Sequence, residues 1–182
     1  EVSHAAVLTD HANQIKISTL SQHLRPQLAV VDPELTLTCP PKPTADSGID
    51  ALTHAIEAYV SSASSPLSDV HALAAVRGVR VSLQQAVLQP DDLKAREQMM
   101  LSSLQAGMAF SNASLGATHA MAHSLGGYLD LAHGECNALL LPAVVDFNFH
   151  GSEDRFVQVG EALGLEMKQG THQEKLRRIM DD

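Results

Sequence analysis

Three histidines, His119, His123 and His133, fall within fifteen positions of one apolar stretch, SLGATHAMAHSLGGYLDLAHGECNALLLP (residues 114–142). His119 and His123 stand four apart, so on a helix they share a face. A second pair of that kind lies upstream, where Asp50 and His54 are four apart in GIDALTHAIEAY. A carboxylate and an imidazole on one face are two ligands for a divalent cation. Together the segments offer one carboxylate and up to four imidazoles. Such donors suit Fe²⁺, Zn²⁺, Co²⁺ or Mn²⁺ better than Ca²⁺ or Mg²⁺. The plainer alternatives are a helix-surface Asp–His pair and ordinary core or surface histidines. Against them, Asp50 and His54 lie close to the apolar face of a helix that must be largely buried, and a buried carboxylate needs a partner. Imidazoles among Ala, Met, Leu and Gly also gain little from burial unless something binds them.

These residues need helices to present them, and the pattern after Thr44 is helical. Ile49, Leu52, Ile56 and Tyr59 recur at spacings of three and four, which makes one apolar face. A second helix is expected to start at Ser64, Ser65 or Pro66, and a third to carry Asp91 and Asp92 in its first turn. The histidine segment reads as a shorter helix ending at Gly126–Gly127, with His133 in the turn beyond it. GECNALLLPAVVDFNFH reads as a buried helix kinked or broken near Pro142. SEDRFVQVGEALGL begins with a capping serine, Ser152, and stops at Gly164. The closing KLRRIMDD looks like a helix cut off. Ahead of this body, AAVLTD (5–10), QIKIST (14–19) and QLAVVD (27–32) read as short strands, the first two as a hairpin across DHAN. The fold class expected is mainly α: a helical bundle from residue 41 to 182, with two or three short strands in a lead-in over residues 1–40.

The totals narrow the function. The chain has 182 residues, 45% of them hydrophobic, with two Tyr, four Phe and no Trp. The core must come from small and aliphatic side chains, which suits closely packed helices. A net charge of −9 argues against a nucleic-acid partner. No apolar run reaches membrane-spanning length, so no membrane partner is expected. Cys39 and Cys136 show neither CxxC nor disulfide-framework spacing, which favours a reducing, cytoplasmic compartment.

GIDALTHAIEAYVS, together with GMAFSNASLGATHAMAHSLGGYLDLAHGECNALLLP, resembles the iron-containing (group III) alcohol dehydrogenase family. The resemblance runs from Glu1 to about Leu165. It includes EVSHAAVLTD and LAVVDPEL, which look like that family's strands crossing between its two domains. It implies a dehydroquinate synthase-like helical domain that holds the metal, Fe²⁺ with Zn²⁺ as the other candidate. It also implies a separate domain that binds NAD or NADP. The family's ligands fall on Asp50, His54, His119 and His133. His123 matches a further active-site histidine beside the metal, Phe110 a residue walling the substrate pocket, and Lys16 a lysine near the cofactor. Phe110 as a plain core residue and Lys16 as an exposed hairpin lysine are the competing readings.

One departure matters. No Gly-rich phosphate loop occurs in these 182 residues, so the nucleotide-binding domain is expected to be absent and the helical domain truncated. The implied activity is hydride transfer between a primary alcohol or aldehyde and NAD(P), with the chain alone expected to be inactive. Apolar surface at the cut faces is expected to favour a homo-oligomer. A helical metal-dependent hydrolase would use the same ligands without nicotinamide. A non-catalytic helical domain would hold a structural metal or none.

Overall fold

In the computed structural model, residues 2–181 are described; Glu1 and Asp182 lie outside the described residues. The lead-in is a hairpin. β1 (Ala5–Asp10) and β2 (Ile15–Leu20) pair antiparallel, Ala5 opposite Leu20 and Asp10 opposite Ile15. The Asp10 carboxylate accepts from the amides of Ala12 and Asn13 and so closes the turn. The third expected strand does not form. Residues 27–32 find no partner strand, Leu28 and Val30 stay 78% and 80% exposed, and the chain passes at Pro33 into a short 3-10 turn. A strand is stabilised by its ladder, and β-branched composition alone does not supply one.

Seven α-helices follow among the described residues. α1 (Pro41–Val60) starts three residues before Thr44, because Pro41 and Pro43 sit in the first turn, where a missing N–H costs nothing. α2 (Pro66–Leu88) opens on a capping box between Ser65 and Ser68. Asp92 is the N-cap of α3 (Leu93–Ala113) and accepts from the amides of Lys94 and Ala95. Asp91 therefore lies outside the helix it was expected to open.

α4 (Ala117–Leu129) runs through Gly126 and Gly127 and ends at Asp130, which adopts the left-handed conformation. The glycines serve a close approach to the hairpin. A Cβ on Gly127 would stand 3.1–3.3 Å from the backbone of Gln14, Ile15 and Lys16. α5 (His133–Phe149) includes His133 as its first residue and passes unbroken through Pro142. It is not buried all round, since Leu139 and Phe147 are exposed. α6 (Glu153–Ala162) and α7 (His172–Met180) close the chain.

α1, α2 and α3 pack against one another through Ala55, Ala58, Ala72, Ala75, Ala106 and Ala109, all essentially inaccessible. Small side chains let these helices approach closely. Phe149, Phe156 and Val159 extend the core towards α5 and α6. Arg155 reaches from α6 to Asp69 and to the Tyr59 carbonyl, with its guanidinium over the Tyr59 ring.

The other anchor is Arg96, 3% exposed, which donates to the Thr44 hydroxyl and to the carbonyls of Cys39 and Pro90. It ties α3 to the start of α1. Replacing it with alanine removes all three of these hydrogen bonds and leaves the space of a buried guanidinium unfilled. Arg96→Ala is expected to cost roughly 3 kcal/mol of stability, read as a lower urea midpoint at unchanged m-value; a loss below about 0.5 kcal/mol would contradict this reading.

Candidate metal centre

Helix periodicity puts Asp50, His54 and Glu57 along one flank of α1, and α4 and α5 cover that flank with His119 and His133. Asp50 Oδ1 lies 3.3 Å from His119 Nε2, 3.6 Å from His133 Nε2 and 3.8 Å from His54 Nδ1. One donor atom each from Asp50, His54 and His119 lie within 4.8 Å of one another. His133 stands beside Asp50 but outside that mutual set. His54 is stacked between two rings, His119 at 4.3 Å and Phe110 at 4.6 Å between centroids. His123 stands at the edge, its ring 5.0 Å from that of His133 and 6.3 Å from that of His119.

Phe110 is thus the backing of His54 and also packs on the helical core. Lys16, half-buried on β2, directs its ammonium towards Gly126, and its charge is felt by both His123 and His133. The structure therefore brings all seven residues singled out in the sequence to one region.

The close approach of α5 depends on Gly134, next to His133. A Cβ there would stand 2.0 Å from the Asp46 carbonyl oxygen, one helical turn before Asp50.

Two further residues complete the arrangement. Glu57, 4% exposed, accepts from His119 Nδ1 at 2.7 Å and from the backbone amides of Gly116 and Thr118 at 3.0 and 2.7 Å. Asn137 is inaccessible; its amide nitrogen donates to Asp50 Oδ1 at 2.7 Å and lies 3.3–3.4 Å from the Nε2 atoms of His133 and His119. Sequence reasoning missed both. Glu57 is seven residues after Asp50, on the same face, and that spacing was the available signal. Asn137 is one turn after His133, a relation hidden while His133 was assigned to a turn.

The charges follow from this packing. Burial pushes the Asp50 carboxyl up, but its hydrogen bond with His119 and the neighbouring imidazoles outweigh that and hold it below the usual range. Burial disfavours charge on His119, yet its bonds to Asp50 and Glu57 prevail and raise its pKa. His54 and His133 lack so strong a partner, and burial lowers both to about 4. His123 is lowered by burial and by the charges of His119 and Lys16. Near neutral pH, His54 and His133 therefore present uncharged nitrogens beside an ionised carboxylate.

This donor set fits a first-row divalent cation. Tetrahedral donors bonded at about 2.0–2.2 Å stand roughly 3.3–3.6 Å apart, close to the separations of Asp50 from His119 and His133. His133 Nδ1 and Asn137 Oδ1 are buried without a hydrogen-bond partner, so the pocket's polar groups are not saturated by the protein alone. The site is also partly open: the side chains of Asp50, His54 and His133 keep 20–28% of their surface exposed. An apolar cavity of about 400 Å³ between α1, α2, α5 and α7 lies on the opposite flank of α1, at Ile49, Leu52 and Ile56.

Comparison with known proteins gives a consistent picture. The pattern of the Fe-containing alcohol dehydrogenase family, C-terminal part, matches residues 44–181. A 1,3-propanediol dehydrogenase of Citrobacter freundii is 44% identical over 164 residues, 90% of this chain and 42% of that protein. An NAD-dependent methanol dehydrogenase of Bacillus methanolicus is 39% identical over 164 residues, 90% of this chain and 43% of that protein. The crystal structure of a 1,3-propanediol oxidoreductase superposes with a TM-score of 0.92 at 38% identity, covering 98% of this chain and 47% of that one. The chain thus spans under half the length of the proteins it matches.

Proposed function

The chain belongs to the iron-containing alcohol dehydrogenase family, and we propose that it is the metal-holding part of an enzyme that moves hydride between a primary alcohol or aldehyde and NAD(P). The observation that carries this reading is the cluster of Asp50, His54 and His119, one donor atom each within 4.8 Å, with His133 beside Asp50 at 3.6 Å. We assign these four as ligands of Fe²⁺, with Zn²⁺ compatible with the same donors. Residues 41–182 form the helical metal-binding domain and residues 1–40 the lead-in from a nucleotide-binding domain. The NAD-dependent relative supports a nicotinamide acceptor.

A bound divalent cation supplies Lewis acidity at the substrate oxygen. The protein's own residues do the rest. Asp50 contributes the one negative charge among the ligands, and an imidazole that binds a cation does so in its neutral form, so the donor set does not quench the cation. His123, with its lowered pKa, accepts the hydroxyl proton and passes it to solvent. Phe110, packed on His54, walls the substrate side, and Lys16 faces the cofactor. No helix among the described residues is long and apolar enough to cross a membrane. Both cysteines are free, which supports a reducing, cytoplasmic compartment. Apolar side chains left exposed on α5 and the hairpin support association, both with the nucleotide domain and between copies.

The test is an assay of the full-length parent with 1,3-propanediol or methanol and NAD(P)⁺. Turnover is expected to vanish on chelation and return with Fe²⁺. Residues 1–182 alone are expected to bind the metal without oxidising alcohol, because the hydride acceptor must be held over the reacting carbon. Turnover by the isolated chain, or a parent indifferent to chelation, would overturn the assignment.

A further inference from the structure

We propose that Glu57 is a positioning residue that sets two things with one carboxylate: the seating of the α4 N-terminus and the tautomer of His119. The proposal rests on the metal-site reading above. The N-cap of α4 is Gly116, which has no side chain to cap the first amides. The cap comes instead from α1, where Glu57 Oε1 accepts from Thr118 N–H and Oε2 from Gly116 N–H. The same Oε2 accepts from His119 Nδ1 at 2.7 Å. Since a carboxylate offers only lone pairs, Nδ1 must carry the proton. Nε2, 3.3 Å from Asp50 Oδ1, is then the nitrogen left to bind a cation.

The group that places α4 along α1 thus also aims the ligand α4 carries, so ring orientation and helix position cannot drift apart. Glu57 further adds a second negative charge behind the ligand shell, which favours a divalent cation.

Glutamine cannot do all of this. With its NH₂ in place of Oε1, it opposes Thr118 N–H, donor against donor. With its NH₂ in place of Oε2, it opposes Gly116 N–H and forces His119 Nδ1 to accept, which puts the proton on Nε2. Either placement loses a cap or the ligand.

The experiment compares wild type and Glu57→Gln in the full-length protein, with Co²⁺ as the probe. Chelator competition is expected to give an affinity lower by about 10–100-fold. The visible Co²⁺ spectrum should change, and the rise in melting temperature on adding Co²⁺ should shrink. A purely structural role would lower the stability of metal-free and loaded protein alike, with affinity and spectrum kept; that result overturns the proposal. Should Glu57→Gln fail to fold, ¹⁵N shifts of the metal-free wild type decide, at a pH where His119 is neutral. The Nδ1–H tautomer is expected, and the Nε2–H tautomer overturns the proposal. Wild type that binds Co²⁺ with no loss in the variant sinks this inference alone. Wild type that binds no Co²⁺ sinks the metal reading and this inference together.

Discussion

Asp50→Ala in the full-length protein is expected to abolish metal retention and alcohol oxidation together. Asp50 Oδ1 is the shared neighbour of His54, His119 and His133, and the only charged donor among them. Removing a residue that merely supports a ligand costs about 10–100-fold in metal affinity, so loss of the charged ligand itself should exceed about 100-fold. The fold should tolerate the change better than the site does, because Asp50 is partly exposed and two of its imidazole neighbours, His54 and His133, are uncharged near neutral pH. Metal content by elemental analysis and turnover should fall in parallel, while the helical circular dichroism persists. A variant that kept one equivalent of metal would exclude Asp50 from the ligand set. In the wild type, acid should release metal by protonation. Of the proposed ligands His119 is the first at risk, because its pKa is raised, whereas His54 and His133 stay neutral down to about 4. Metal affinity should accordingly rise with pH through the raised His119 value.

Gly134→Ala is expected to be the most damaging single-methyl change. The added Cβ would lie 2.0 Å from the carbonyl oxygen of Asp46, 2.4 Å from its carbonyl carbon and 2.9 Å from its Cα. These are backbone atoms inside α1, so no side-chain rotation can make room. α1 and α5 must separate, at about 3 kcal/mol or somewhat more by the usual cost of overpacking. The displacement falls on the residue after His133 and one turn before Asp50, so the ligands part along with the helices. Urea unfolding should show the lost stability, and chelator competition should show weaker metal binding in whatever folds. An alanine variant within about 1 kcal/mol of wild type would contradict so close an approach of the two helices.

Much of the fold could be read from local chemistry. The apolar spacing of Ile49, Leu52 and Ile56, the serine before Pro66 and the aspartate before Leu93 mark helices by their own hydrogen-bonding and burial needs. The turn across residues 11–14 is likewise local. What could not be read depends on distant partners. Residues 27–32 have strand composition, but only the tertiary arrangement decides whether a second strand lies beside them. Gly126–Gly127 looked like a helix end because glycine usually ends helices; here the missing side chains admit β2, which no local rule reports. His133 looked like a turn residue for the same reason. At the centre, the i,i+4 spacings of Asp50 with His54 and of His119 with His123 were legible. That Glu57 caps a helix whose N-cap, Gly116, stands fifty-nine residues later was not. Nor was the contact of Asn137 with Asp50, since the two are 87 positions apart.

The placement of the four donors also bears on how the protein is made. Helices α1, α2 and α3 are consecutive and pack on one another, so they can collapse as soon as they are synthesised. Asp50 and His54 belong to that early unit, but His119 and His133 arrive only with α4 and α5. On the proposed assignment, a cation bound by all four can therefore not act as a nucleus, in the way zinc nucleates a small finger domain. It must be loaded last, onto a base already standing, and the rate of metal uptake during refolding becomes a clock for the docking of α4 and α5.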